Sequence, residues 1–103
     1  MKKLNEMNEY LDWYGELLTE KQANICSLYY QEDYSLAEIS ENYDISRAAV
    51  QDTIKRSEKL LQYYEEKLKL VAKFHARNEI YGKIKELNVE SVNALIQDLE
   101  EIE

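Results

Sequence analysis

Arg47, Gln51 and Lys55 are residue types that read base edges in a nucleic-acid groove. Arginine and lysine donate to guanine, and glutamine pairs with adenine. Arg56 and Lys59 suit phosphate oxygens, which position a protein without reading sequence. With Val50 at the centre of a buried side and about 100° of rotation per residue, Ala48, Gln51, Asp52, Lys55 and Lys59 face away from the core. Arg47 and Arg56 flank them. The expected contact set is Arg47, Ala48, Gln51, Lys55, Arg56 and Lys59. Asp52 lies within it and repels phosphate unless it accepts a bond from cytosine. The same residues also suit a solvated helix face.

Two helices and a turn must hold these side chains. Ser35 and Glu38 form a Ser-x-x-Glu capping box that opens the first helix. Leu36, Ile39 and Ser40 give it a buried side. Asn42, Tyr43 and Asp44 interrupt the pattern, and Asn and Asp tolerate a left-handed helix end. Ser46 caps the second helix, in which Ala49, Val50, Ile54, Ser57 and Leu61 recur on one side. Two short helices joined by a tight turn, the second carrying surplus positive charge, make a helix-turn-helix.

Charge argues against nucleic acid. The 103 residues hold 13 Lys and Arg against 21 Asp and Glu, a formal net charge of −8. Nonspecific affinity for a polyanion comes mainly from cations that displace counterions. The charge is unevenly spread. Residues 1–45 carry three lysines against ten acids, and residues 61–103 carry six bases against nine acids. Only residues 46–60 are basic, with four bases against two acids.

Other constellations offer less chemistry. Tyr29, Tyr30 and Tyr34 cluster before the motif, and Tyr63 adjoins Tyr64. Bases stack on such rings only beside a basic groove, and acids surround them here. They read as core and interface rings. His75 is the only histidine; Glu79 one turn on gives it a single helical partner, short of a catalytic pair or a metal ligand set. Cys26 is the only cysteine and reads as a small core residue. There is no glycine-rich phosphate loop. The expectation is a non-enzymatic protein without metal or cofactor.

Proline is missing and glycine occurs only at Gly15 and Gly82, so an all-α chain is expected. No apolar run reaches the length needed to span a bilayer, the first residues lack the apolar stretch of a secretion signal, and a cytoplasmic location is the simplest. A first helix is predicted over about Asn5–Tyr14, on Met7, Tyr10, Leu11 and Tyr14, with Gly15 as its stop. Thr19 and Gln22 cap a second through about Tyr30, with Ile25, Leu28 and Tyr29 inward and Ala23 and Cys26 filling gaps. The second motif helix is predicted to continue unbroken to about Lys73. Ile54, Leu61, Tyr64, Leu68 and Val71 fall at spacings of seven, three, four and three, a coiled-coil-like seam. Segments Phe74–Leu87 and Glu90–Ile102, broken at Asn88 and Val89, are the remaining helices.

The fragments YSLAEI, ISRAAV and IKRSEK resemble the YlxM-like family of small bacterial proteins, closely from Leu17 to Leu68 and more loosely outside. The resemblance implies a helix-turn-helix similar to region 4 of sigma factors. It also implies a regulatory or accessory role in the signal recognition particle pathway, because the family's genes lie beside those for particle components. Two positions depart from the sigma-type motif. Asp44 stands where glycine is usual, and Thr53 where a large apolar residue is more common.

The reading is a helix-turn-helix domain over 1–60 and a C-terminal helical extension over 61–103. Two functions compete. In one the chain is an adaptor for the particle's protein or RNA; in the other it is a DNA-binding transcriptional regulator unrelated to the particle. Leu61, Tyr64, Leu68 and Val71 can be covered by the folded-back segment Phe74–Ile102 or by the same helix of a second copy, and the homodimer is the favoured expectation. These side chains need cover, and a dimer would fix the separation of two motifs.

Overall fold

The computed structural model describes residues 4–103. Lys2 and Lys3, counted in the N-terminal charge, lie outside the described residues, as does the start of the segment read for a secretion signal. Six α-helices follow in order among the described residues, with no strand: α1 Leu4–Tyr14, α2 Glu20–Cys26, α3 Leu36–Tyr43, α4 Arg47–Leu68, α5 Leu70–Glu86 and α6 Glu90–Ile102. The helices form two compact units, divided between Val71 and Ala72.

In the first unit, local capping places the helices as expected. Thr19 and Gln22 exchange both bonds of a capping box at 3.0 and 3.1 Å. Ser35 and Glu38 do the same at 2.8 and 3.1 Å. Each satisfies backbone N–H groups that a helix start leaves unpaired. Met7, Leu11 and Tyr14 of α1, Ile25 and Cys26 of α2, Ile39 of α3, and Val50, Ile54 and Leu61 of α4 build one core. On α1 and α4 the spacing of three, four or seven residues gives each helix one buried face.

Two departures from the expected pattern have physical causes. After Cys26 the chain widens into a π turn over Ser27–Gln31. The extra residue in that turn rotates the following side chains, so Tyr30 is buried while Tyr29 and Leu28 are only partly covered.

The second departure is larger. The helix predicted to run unbroken to Lys73 ends at Leu68, with Lys69 in the left-handed region at φ 56°. That conformation suits Asp33, Asp44 and Asn88, which share it, better than a lysine. Tyr14 of α1 supplies the reason for the break. Its Oη donates to Oε1 of Glu65 at 2.5 Å and accepts the Leu70 N–H at 3.1 Å. The same carboxylate oxygen accepts the Val71 N–H at 3.1 Å. The Leu70 donor at the break is thus satisfied by Tyr14 of another helix, and the Val71 donor by Glu65 of α4, whose carboxylate Tyr14 holds as a latch.

Burial and the bond to Glu65 raise the Tyr14 pKa, and burial together with Glu6 pushes Tyr10 up to about 12. In both cases the fold favours the neutral phenol. The stability this contributes is complete below the ordinary tyrosine pKa of about 10 and is lost as pH climbs through the folded values. Thermal melts from neutral pH to about pH 12 should therefore show melting temperature falling above about pH 10. A Tyr10→Phe, Tyr14→Phe chain should lose part of that slope; an unchanged slope would remove these two phenols as its source.

The second unit, Ala72–Glu103, holds the rest of α5 and all of α6. Asn88 at φ 57° turns the chain between them. Arg77 and Tyr81 both donate to Oε2 of Glu103 at 2.6 and 2.8 Å, and Lys85 reaches Glu100 at 3.1 Å. These pairs run in opposite directions along the two helices, so the hairpin is antiparallel. Tyr81 and Ile96 are buried, while Ile80, Leu87, Leu95, Leu99 and Ile102 are exposed. No helix among the described residues is long and apolar enough to cross a membrane.

Candidate nucleic-acid interface

The interface is built on α4, and α4 is fixed by its buried face. Val50, Ile54, Ser57 and Leu61 are all buried. Ala49, expected beside them, is exposed. It sits in the first turn, where its N–H donates to the Ser46 hydroxyl oxygen at 3.0 Å and its carbonyl accepts the Thr53 hydroxyl at 2.9 Å. Thr53 is half-buried, so the hydroxyl that replaces a larger apolar group returns to its own helix. Ser57 does likewise, donating to the Thr53 carbonyl at 2.7 Å. Burial raises the Cys26 thiol pKa, with a smaller opposing effect from the Ser57 hydroxyl. A fully buried thiol of this kind packs rather than reacts.

The turn before α4 is closed tightly. Asp44 takes the left-handed conformation at φ 54°, and its N–H donates to the Ser40 carbonyl. The Ile45 N–H donates to that carbonyl at 3.1 Å, and the Ser40 hydroxyl donates to the Ile45 carbonyl at 2.6 Å. Aspartate thus fills the usual glycine position, and Ser40 holds the two helices at a fixed angle.

Arg47, Ala48, Gln51, Lys55, Arg56 and Lys59 are all exposed on α4. The structure brings them together on one rigid element, but they are not equally available. Nε of Arg56 lies 2.9 Å from Oδ2 of Asp52, one turn back, with both side chains largely in solvent. Such a pair is worth only about 0.3–0.5 kcal/mol, so a phosphate can compete for the guanidinium. Glu38 and Glu41 on α3 and Asp44 in the turn are exposed as well. The first motif helix, which crosses the backbone in helix-turn-helix readers, therefore presents acids.

Of the seam residues, Leu61 and Val71 belong to the core, and Tyr64 packs against it partly buried. Leu68 is 45% exposed. The α4 seam is largely consumed within the chain, because the break at Lys69 folds Val71 back into the first unit.

One feature escaped sequence reasoning. The exposed series at four-residue intervals does not stop at Lys59: Tyr63 and Lys67 continue it, both exposed. Lys67 Nζ lies 5.7 Å from the centroid of the Tyr63 ring. The spacing was present in the sequence. Pairing Tyr63 with Tyr64 as chain neighbours hid it, since adjacent residues on a helix point in different directions.

No group of three or more His, Cys, Asp or Glu among the described residues could hold a metal ion. His75 is exposed on α5, and its ring centroid lies 5.8 Å from that of Phe74.

A family model described as "Putative helix-turn-helix protein, YlxM / p13 like" matches residues 1–102. The chain is 47% identical over 108 residues to the UPF0122 protein YlxM of Bacillus subtilis, covering 100% of this chain and 98% of that protein. It is 46% identical over 102 residues to a UPF0122 protein of Exiguobacterium sibiricum, with 98% and 96% covered. A UPF0122 protein of Lactococcus lactis subsp. cremoris is 47% identical over 103 residues, with 100% and 92% covered.

Proposed function

The chain belongs to the helix-turn-helix family of YlxM- and p13-like proteins, and from that membership we propose that it is a non-enzymatic, cytoplasmic regulatory or accessory factor of the signal recognition particle pathway. It would act through the outward face of α4. One observation carries this reading. The core clamps α4 by Val50, Ile54, Ser57 and Leu61, while Arg47, Gln51, Lys55 and Lys59 remain exposed. A rigid helix with a displayed polar, basic face is a contact surface that needs no rearrangement to bind. The pathway itself rests on the gene association that the family resemblance implies.

The exposed acids Glu38 and Glu41 of α3 and Asp44 of the turn support a particle component over an operator, since the first motif helix crosses the phosphate backbone in DNA readers. The second reading is a DNA-binding transcriptional regulator unrelated to the particle. It is supported by the exposed Arg47, Gln51 and Lys55 on the first three turns of α4, where such helices read bases. Retention of particle RNA, particle protein and operon DNA by the purified protein, measured side by side at rising salt, decides between them. Retention of a particle component supports the first reading. Retention of DNA alone overturns it in favour of the second.

A homodimer forms part of this reading, with its contact displaced from α4. Ile80, Leu87, Leu95, Leu99 and Ile102 on the hairpin of α5 and α6 are exposed apolar side chains that a second copy could cover. Each large apolar side chain left in water forgoes roughly 1.5–3 kcal/mol. Sedimentation at micromolar concentration should return a dimer mass for the natural chain. Leu95→Glu with Leu99→Glu should return a monomer that keeps its helix content. A monomer mass for the natural chain removes the dimer.

A further inference from the structure

We infer that Tyr63 is a stacking platform for an unpaired base of a nucleic acid whose phosphates are held by Lys59 and Lys67. The inference deepens the reading of α4 as a contact surface and rests on it.

Four observations meet at this ring. Tyr63 is 53% exposed, unlike the tyrosines of the core. It lies on the side of α4 opposite Leu61, which is fully buried, so it points away from the core. Lys59 and Lys67 stand one turn before and one turn after it, both exposed. Lys67 already lies against the ring face, the place a base would share or take.

The ring is also braced. Tyr63 meets Tyr64 in an edge contact, with centroids 6.0 Å apart and planes at 63°. Tyr64 in turn meets Tyr14 at 6.1 Å. Tyr14 is 1% exposed and held by Glu65 and Leu70. The exposed ring therefore ends a row of aromatics that begins in the core. Less side-chain freedom remains to be lost when a ligand stacks on it.

Chemistry limits what fits. Every base offers a π face, so stacking tolerates any sequence but needs an unpaired nucleotide. Cations on either side supply the attraction to phosphate that stacking lacks. Asp52 and Glu66 are the exposed acids on this side of α4. Against them stand Lys55, Arg56, Lys59 and Lys67, so the local balance is basic although the chain is acidic. From Arg47 to Lys67 the exposed series spans about 30 Å at ~1.5 Å per residue. A helix-turn-helix sets only the first residues of its second helix against base edges, which leaves the end of α4 outside such a contact. A folded nucleic acid can meet the start of α4 with a paired segment and the end with a loop, and loops that splay their bases are commonest in RNA.

The test uses the full-length protein and three labelled probes: an RNA hairpin with an unpaired loop, a blunt RNA duplex of the same stem, and the DNA version of the hairpin. Fluorescence anisotropy reads affinity. Tyr63→Ala should weaken the RNA hairpin about ten-fold or more and leave the duplex unchanged. Tyr63→Phe should bind like the natural chain, since the ring and not the hydroxyl stacks. Lys59→Ala with Lys67→Ala should weaken the hairpin and reduce its salt dependence. An equal loss on the DNA hairpin identifies stacking of any unpaired nucleotide; a loss confined to RNA identifies contact with the ribose as well. Tyr63→Ala binding the hairpin as tightly as the natural chain, while Arg47→Ala with Lys55→Ala loses it, overturns the platform and leaves the α4 reading standing. Failure of the natural chain to bind any probe overturns the platform and removes nucleic acid as the partner of α4, leaving a particle protein. Circular dichroism should show each variant folded, because these side chains lie outside the core.

Discussion

Arg47→Ala combined with Lys55→Ala should abolish most nucleic-acid binding without unfolding the chain. Both side chains are exposed, and neither belongs to the face that holds α4, which is Val50, Ile54, Ser57 and Leu61; Lys55 points away from it and Arg47 flanks it at the first turn. A base-reading arginine or lysine contributes about 1–3 kcal/mol. Together the two should cost at least about thirty-fold in affinity. The dependence of affinity on salt should flatten, since fewer counterions are released. Stability should move by no more than about 0.5 kcal/mol, as for surface substitutions in general. Anisotropy across a salt series, with a thermal melt beside it, reads both effects. A double variant that binds as the natural chain does would move the contact off the start of α4. Arg56→Ala should cost less than either, because Asp52 already occupies its Nε.

Tyr14→Ala should come close to unfolding the first unit. The ring is 1% exposed, and replacing a large buried aromatic by alanine costs about 3–5 kcal/mol. A domain of this size has only about 5–15 kcal/mol in total. The hydroxyl adds a second, separable effect. Tyr14→Phe keeps the ring but removes the donor to Glu65 and the acceptor of the Leu70 N–H. Losing a typical hydrogen bond costs about 0.5–1.5 kcal/mol, and one to a charged group about 1.5–3 kcal/mol. For a chain near 100 residues each kcal/mol is worth about 4–8 °C of melting temperature. The phenylalanine variant should therefore melt several degrees lower, and its faster amide exchange should be concentrated at Leu70 and Val71. If exchange at those two amides is unchanged, the latch does not hold the break. Lys69→Gly offers the opposite check. Glycine adopts the left-handed conformation at no steric cost, so that variant should melt at the same temperature or higher.

Much of this fold is written in short-range terms. Thr19 with Gln22, Ser35 with Glu38, and Ser46 each start a helix through bonds to residues three positions away. Asp44 and Asn88 end helices because short polar side chains tolerate the left-handed region. The outward set on α4 follows from the period of the helix once Val50 is known to face inward. Interactions of this kind depend on neighbours in the chain, and neighbours are what a sequence lists. The Asp52–Arg56 pair and the run Lys59, Tyr63, Lys67 are of the same kind, legible from four-residue spacing alone.

Other features depend on groups far apart in sequence. The break at Lys69 is set by Tyr14, which lies 56 residues before Leu70. Local propensity favours a continuous helix there; the Tyr14 hydroxyl of α1, together with the Glu65 carboxylate it holds, gives the broken backbone its partners. The π turn after Cys26 is similar in kind, since helical periodicity assumes one fixed rotation per residue and cannot register an inserted one. The fate of the seam follows from the break: whether Leu61 and Val71 are surface or core depends on where the chain folds back. The sequence by itself determined that the chain is helical, where α2, α3 and α4 start and which face of α4 is basic, because caps and periodicity act over one turn. Only the tertiary structure decided where α4 stops, which apolar side chains remain exposed and how firmly Tyr63 is held, because those depend on contacts closed across the fold.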